Sequence, residues 1–227
     1  MEQYWKEESI IPIREYAYRQ LKKMILERVF VADDRLVERQ LAEELQISRT
    51  PIREALLRLE AQGFVKTVPR KGVVVNSTST EQIIEVFTIL SSLEALAAKL
   101  AAEKMDEVTK KEIDSYINRV EKAINEDEDD MSQLHIEISH VVYKAAKSPK
   151  LYQMLIDLTD YIRAFANIGY KLTGRKESSF REHIEVLKAV RNKESDMAQY
   201  LTKIHIENSK KAYLEAIIKK EIAGSKA

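Results

Sequence analysis

Arg49, Thr50 and Arg53 are the side chains of this sequence best suited to reading another molecule. They lie three to four apart at most, so a helix brings them onto one face near its N-terminal end. Guanidinium forks reach guanine edges or phosphate oxygens, and a threonine hydroxyl can serve either. The same spacing also suits the wet side of an ordinary amphipathic helix, so the surroundings must decide. Ser48 can cap such a helix through its hydroxyl, and Pro51 falls in the first turn, where its missing N–H costs nothing. Ile52, Ala55, Leu56 and Leu59 then recur at helical spacing and define a buried face.

The elements needed to hold that helix follow in order. A first helix is predicted over about 15–28, with Leu21, Met24 and Ile25 inward, and Ala32-Asp33-Asp34 breaks it. Arg35–Arg39 leads into a second helix that buries Leu41, Ala42 and Leu45, and Gln46-Ile47 makes the turn. Gly63 stands where a helix C-terminus wants a left-handed residue. Residues 64–68 and 73–75 are short β-branched runs around Pro69-Arg70-Lys71-Gly72, which reads as a hairpin with a basic tip. Helix, helix-turn-helix and two-stranded wing together make a winged helix-turn-helix. The basic wing favours the nucleic-acid reading, because it adds a second contact beside the Arg-bearing helix.

Global charge is uninformative, since Lys+Arg and Asp+Glu both number 37 in 227 residues. Between Ser48 and Gly72, however, Arg49, Arg53, Arg58, Lys66, Arg70 and Lys71 face only Glu54 and Glu60. The absence of cysteine excludes disulfides, thiolate catalysis and cysteine zinc sites. No apolar run approaches the roughly 18 residues of a spanning helix, and no signal-peptide pattern opens the chain, so a soluble cytoplasmic protein without a membrane partner is expected.

The fold expected is mainly α: a winged helix-turn-helix over 1–76, a polar linker over 77–80, and an all-helical bundle of about six helices over 81–227. Residues 1–13 read as a loose lead-in. Thr78 or Ser79 can cap the first bundle helix, with Glu81 or Gln82 completing a capping box. The bundle helices are predicted near 80–104, 109–126, 130–146, 149–170, 177–192 and 194–221. The first carries Ile84, Phe87, Leu90, Leu93, Leu96, Ala97 and Leu100, a face wide enough for both a core and a partner subunit.

The run Arg35-Leu-Val-Glu-Arg-Gln-Leu-Ala-Glu-Glu-Leu45, then Ile47-Ser-Arg-Thr-Pro-Ile-Arg-Glu-Ala-Leu56, Gly63-Phe-Val65 and Arg70-Lys-Gly72 resembles the DNA-binding domain of the GntR family of bacterial transcriptional regulators. The remainder is similar to the FadR-type helical (FCD) ligand-sensing domain, through Leu93–Ala98, Ala145–Leu151, Glu182–Leu187 and His205–Ser209. The resemblance implies that Arg39, Arg49 and Arg53 contact operator bases or phosphates, that Ser48 and Thr50 support backbone contacts, and that Arg70, Lys71 and Gly72 form the wing contact. It also implies a homodimer on a two-fold-related double-stranded operator and a small-molecule effector, such as an organic carboxylate. Ala32-Asp33 replaces the Pro-Gly common in the family, which alters a turn but no contact.

Many relatives hold a divalent metal with an Asp, a His four residues later, and two further histidines. Here His183 and His205 occupy the later positions, whereas His135 stands at the Asp and Ser139 at the first His. In that register Leu134, Ile138 and Val142 form the buried face with His135 and Ser139 beside it, and His140 groups with the wet face. Two readings stay open: His135, His183 and His205 hold Zn²⁺ or a similar ion, or they touch an organic ligand directly. Leu90 stands where the family often has an arginine, and Arg163 is a replacement that could face the cavity.

The function this implies is a ligand-responsive DNA-binding regulator, a repressor in most such proteins. The alternative is a metal-dependent hydrolase or lyase on the three histidines, but His-Glu-x-x-His, a Gly-rich phosphate loop and a nucleophile elbow are all missing. A third reading, a helical adaptor, would use the acidic run 126–130 as a docking patch.

Overall fold

A computed structural model describes residues 11–125 and 132–224. The acidic run 126–130 lies outside them, as does most of the lead-in. Two compact units divide at Thr78 and Ser79.

The first unit begins with α1 (Ile13–Leu26), α2 (Glu38–Glu44) and α3 (Arg49–Ala61), followed by strands β1 (Val65–Val68) and β2 (Gly72–Val75). Ala17, Leu21 and Ile25 of α1 meet Ile52, Ala55, Leu56 and Leu59 of α3, all buried, so the apolar face anticipated for α3 is its inner face. Burying each leucine or isoleucine contributes about 1.5–3 kcal/mol, which fixes the orientation of the opposite, polar face. Ser48 is the N-cap residue in extended backbone, yet its side chain makes no cap hydrogen bond, contrary to the expectation; Pro51 does lie in the first turn. Gly63 takes the left-handed conformation at φ +78°, which ends α3 and starts the wing.

β1 and β2 pair antiparallel from Val65↔Val75 to Val68↔Gly72, leaving Pro69-Arg70-Lys71 as the tip. The segment before α2 adds an unanticipated third partner. Arg35 bridges to Val74, and the Leu36 N–H donates to Val73 O at 2.9 Å.

The second unit contains α4 (Thr80–Glu103), α5 (Glu107–Asn125), α6 (Ser132–Ala145), α7 (Pro149–Phe165), a 3₁₀ turn (Asn167–Lys171), α8 (Arg175–Arg191) and α9 (Ser195–Gly224). Ser79 and Gln82 form the capping box at the start of α4: the Ser79 hydroxyl accepts from Gln82 N, and the Gln82 side chain accepts from Ser79 N. α4 packs most extensively on α9, and Ala95, Ala97, Ala98, Ala101 and Ala102 are all fully buried. Such small residues let helix backbones approach closely.

Two details of the sequence reading need correction. The buried face of α4 uses Ile83 rather than Ile84, and Leu96 is 41% exposed. The helix expected over 149–170 ends at Phe165, where Ala166 leaves helical geometry at φ −121°. The following 3₁₀ turn presses Gly169 onto α9 so closely that a Cβ there would sit 2.8 Å from Tyr213 N. A larger residue in place of the glycine could not make that approach.

Candidate nucleic-acid interface and sensor cavity

On the first unit, Ser48, Arg49, Thr50 and Arg53 are exposed at the N-terminal end of α3, on the side away from the core. Glu38, at the start of α2, lies between the two arginines. Its Oε2 accepts from Arg53 Nε at 2.7 Å and lies 3.6 Å from an Arg49 terminal nitrogen. Arg39 is also exposed, 3.9 Å from Glu43. The tip residues Arg70, Lys71 and Gly72 are exposed, with Arg70 at φ +65° and Gly72 at φ +83°.

The wing is tied to α3 by more than the chain between them. Glu60 Oε1 accepts from Thr67 N at 2.7 Å, and Asn76 Nδ2 donates to Gly63 O at 3.0 Å. Two residues of the basic count have internal duties instead. Arg58 stacks 3.6 Å over the Tyr18 ring and donates to Glu15, while Lys66 donates to the Ser77 hydroxyl. The cationic face is therefore narrower than the composition of 48–72 suggests, and it is centred on Arg49, Arg53 and the tip.

In the second unit α6, α8 and α9 bring His135, His183 and His205 together. One nitrogen from each lies within 4.8 Å of the others, and the His183 ring centroid is 4.6 Å from His135 and 4.2 Å from His205. Burial, then the neighbouring His205 and the charges of Arg163 and Arg175, lower the His135 pKa to about 3. Burial, then His205, His135 and Arg175, hold His183 well below its ordinary value. Both rings are thus neutral near pH 7, the form that ligates metals. Their Nε2 atoms are buried without a hydrogen-bond partner.

His205 is oriented from behind. Its Nδ1 lies 2.7 Å from Glu182 Oε2, and Glu182 also accepts a two-pronged contact from Arg175 at 2.8 and 3.1 Å and one from Asn208 Nδ2 at 2.9 Å. Burial alone would raise the Glu182 pKa, but the hydrogen bonds from His205 and Arg175 bring it to about 2. A carboxylate behind an imidazole fixes the ring's tautomer and raises its basicity.

Next to the imidazoles is a cavity of about 20 Å³, lined by Glu94, Ser139, Tyr143, His183, Thr202 and His205 among others. It has room for about one water molecule or ion. Tyr143 donates a short hydrogen bond to Glu94 and lies 3.2 Å from the Thr159 hydroxyl. Burial pushes the Glu94 carboxyl above the usual range, against the pull of Tyr143 and His205.

Of the anticipated pocket residues, Ser139, His183 and His205 line this cavity, and His135 meets His183 edge to face without lining it. Arg163 does not line it; its side chain is 39% exposed and paired with Asp160 at 3.2 Å. His140 is half-buried against Tyr152 rather than on a wet face. Sequence reasoning missed Glu38, Glu94, Tyr143, Arg175 and Glu182 as site residues. Glu94 alone gave a local signal, as a carboxylate inside the apolar stretch from Leu93 to Ala98.

Comparison with known proteins relates both units of the chain to known regulators. Residues 13–75 match the family described as bacterial regulatory proteins, gntR family, and residues 85–208 match the FCD domain. The HTH-type transcriptional regulator YdhC of Bacillus subtilis strain 168 is 29% identical over 193 residues, covering 84% of this chain and 86% of that protein. The HTH-type transcriptional repressor RspR of Escherichia coli K12 is 20% identical over 197 residues, covering 86% of each chain. Among solved structures, E. coli McbR/YncC superposes with a TM-score of 0.73 at 21% identity, over 87% of this chain and 95% of that one, which establishes a common fold.

Proposed function

Since the chain belongs to the GntR family of bacterial regulatory proteins and carries an FCD domain, it is a transcriptional regulator and not an enzyme, and we propose that it is an effector-controlled repressor that binds a two-fold operator as a homodimer. The observation that carries the DNA half is the exposure of Arg49, Thr50 and Arg53 at the N-terminal end of α3, braced beside a basic wing tip. In winged and helix-turn-helix proteins that end enters the major groove while neighbouring elements hold phosphates. Arg39, Ser48, Arg70, Lys71 and Gly72 supply the surrounding contacts in this reading. A dimer presents two such faces to two half-sites, and RspR, being named a repressor, supports the sign of regulation. A cytoplasmic location belongs to the same proposal, because operator DNA is reached there.

For the second unit we propose an effector site built on His135, His183 and His205, in which a divalent cation such as Zn²⁺ is held by the three imidazoles. The fit rests on two buried, unpartnered Nε2 atoms, the neutral state of both rings, and the Glu182 brace behind His205. Nitrogens of a tetrahedral zinc site with 2.0–2.1 Å bonds are about 3.4 Å apart, so small side-chain rotations suffice. A bound cation would supply a positive charge with an open position for a carboxylate or water. Glu182 and Arg175 would keep His205 aimed, and Ser139 would face the open side. An effector that prefers one arrangement of the dimer over another then changes operator affinity by that preference.

Both halves are directly testable. In titrations against the DNA upstream of its own gene, Arg49→Ala and Arg53→Ala should each lose base-specific affinity, by about 1–3 kcal/mol for a bidentate contact. Unchanged binding in both would remove the DNA assignment. ZnCl₂ should raise the melting temperature of wild type but not of His183→Ala or His205→Ala. A purified protein with no metal and no metal-induced shift would leave the second reading, direct contact of the histidines with an organic ligand.

A further inference from the structure

Glu38 is an acidic residue in the middle of a face that is otherwise suited to polyanionic DNA, and charge alone would make it a liability there. Its geometry is specific, however. The carboxylate takes the Nε–H of Arg53, at 2.7 Å, rather than the terminal nitrogens. Among the described residues no hydrogen bond takes up the two terminal NH₂ groups of Arg53, which therefore keep their donors. A bidentate grip on guanine O6 and N7 draws on guanidinium donors at the outer end of the fork. The same Glu38 oxygen lies 3.6 Å from an Arg49 terminal nitrogen, so one carboxylate sets both guanidinium groups. Glu38 is itself only 29% exposed in its side chain, whereas Arg53 is 58% exposed and Arg49 57%, so the anchor is the more fixed partner.

Resting on the DNA-binding reading above, we infer that Glu38 is a positioning residue for base readout: it holds Arg53, and secondarily Arg49, in the extended posture that meets the groove. A free arginine on the rim would lose rotamer entropy on binding and could settle on any phosphate within reach. A pre-set fork loses less and is committed to the base edge. Glu38 thus trades some non-specific attraction for discrimination.

The test uses the full-length protein and a library of randomised duplex DNA, selected by binding. Wild type should enrich a defined sequence, and anisotropy titrations then measure affinity for that duplex and for an unrelated one. Glu38→Ala should weaken the selected duplex about tenfold, while binding to the unrelated duplex is unchanged or stronger. Glu38→Gln retains an oxygen for the Arg53 Nε–H and should recover most of the loss. In an Arg53→Ala background the Glu38→Ala effect should shrink to the small remainder carried by Arg49, a non-additivity that a general folding defect would not give. Equal selection and affinity in Glu38→Ala would overturn the inference, and tighter binding to every duplex alike would overturn it and make Glu38 a mask instead. Full additivity in the double variant would also overturn it. Failure of wild type to enrich any sequence would overturn the DNA reading, and this inference with it.

Discussion

Lowering the pH should destabilise the metal-free second unit through its buried histidines, and the size of the effect can be worked out. An unfolded histidine titrates at about 6.5, whereas folded His135 titrates at about 3 and His183 is also held well below its ordinary value. Between those limits the unfolded state binds more protons, so stability is full above about pH 6.5 and is lost as pH falls. From about pH 7 to about pH 5, His135 should contribute a loss of about 2 kcal/mol, and His183 adds a loss in the same direction. Glu94 works in the opposite sense. Burial raises its pKa, so it costs stability as pH rises above the unfolded carboxylate range, and acidification returns part of that cost. Glu182, at about 2, begins to matter only below the unfolded carboxylate pKa. Urea unfolding followed by far-ultraviolet circular dichroism, in EDTA, measures the net change. The comparison that isolates one ring is His135→Gln, which should flatten the pH dependence by about 2 kcal/mol over that window. An identical dependence in wild type and His135→Gln would refute the claim that this imidazole is folded in its neutral form.

Three further outcomes follow from the geometry. Lys71→Ala at the wing tip should weaken all duplexes about equally and reduce the salt slope of binding by about 1, measured by anisotropy across a salt series. Arg175→Met should destabilise the second unit by about 3 kcal/mol, because it leaves the Glu182 carboxylate without its two-pronged partner; urea unfolding at neutral pH reads this. Gly169→Ala should cost about 1–3 kcal/mol, since the added Cβ would meet the α9 backbone at Tyr213 N at 2.8 Å. Gly174→Ala has nothing within 4 Å and only its φ of +76° against it, so its cost should stay near 1 kcal/mol; thermal melts of the pair separate contact from backbone strain.

How far the sequence disclosed these features depends on the distance over which each is determined. The α3 face, the left-handed Gly63, the hairpin tip and the Ser79–Gln82 capping box rest on residues within a turn or two of each other, and they emerged intact. The end of α7 did not: the turn that follows it seats Gly169 against Tyr213, a tertiary contact with no local signature. Charge counting overstated the cationic face for the same reason. Arg58 is taken up by Glu15 and Tyr18, 43 and 40 positions earlier in the chain. Register carried by family resemblance located His135, Ser139, His183 and His205, yet it could not show that Glu182 sits behind His205 or that Glu94 and Tyr143 close the other side.

The cavity's size then restricts how any signal can act. At about 20 Å³ it is far below the roughly 300 Å³ of an ordinary small-molecule site. An ion can enter with side-chain rotations alone, but an organic effector must move the helices that line the cavity. α4 and α9 are the pair to examine, because Glu94 and His205 sit on them and α4 packs more extensively on α9 than on any other helix. In the proposed reading, any ligand larger than an ion must work against the packing of α4 on α9 to be felt.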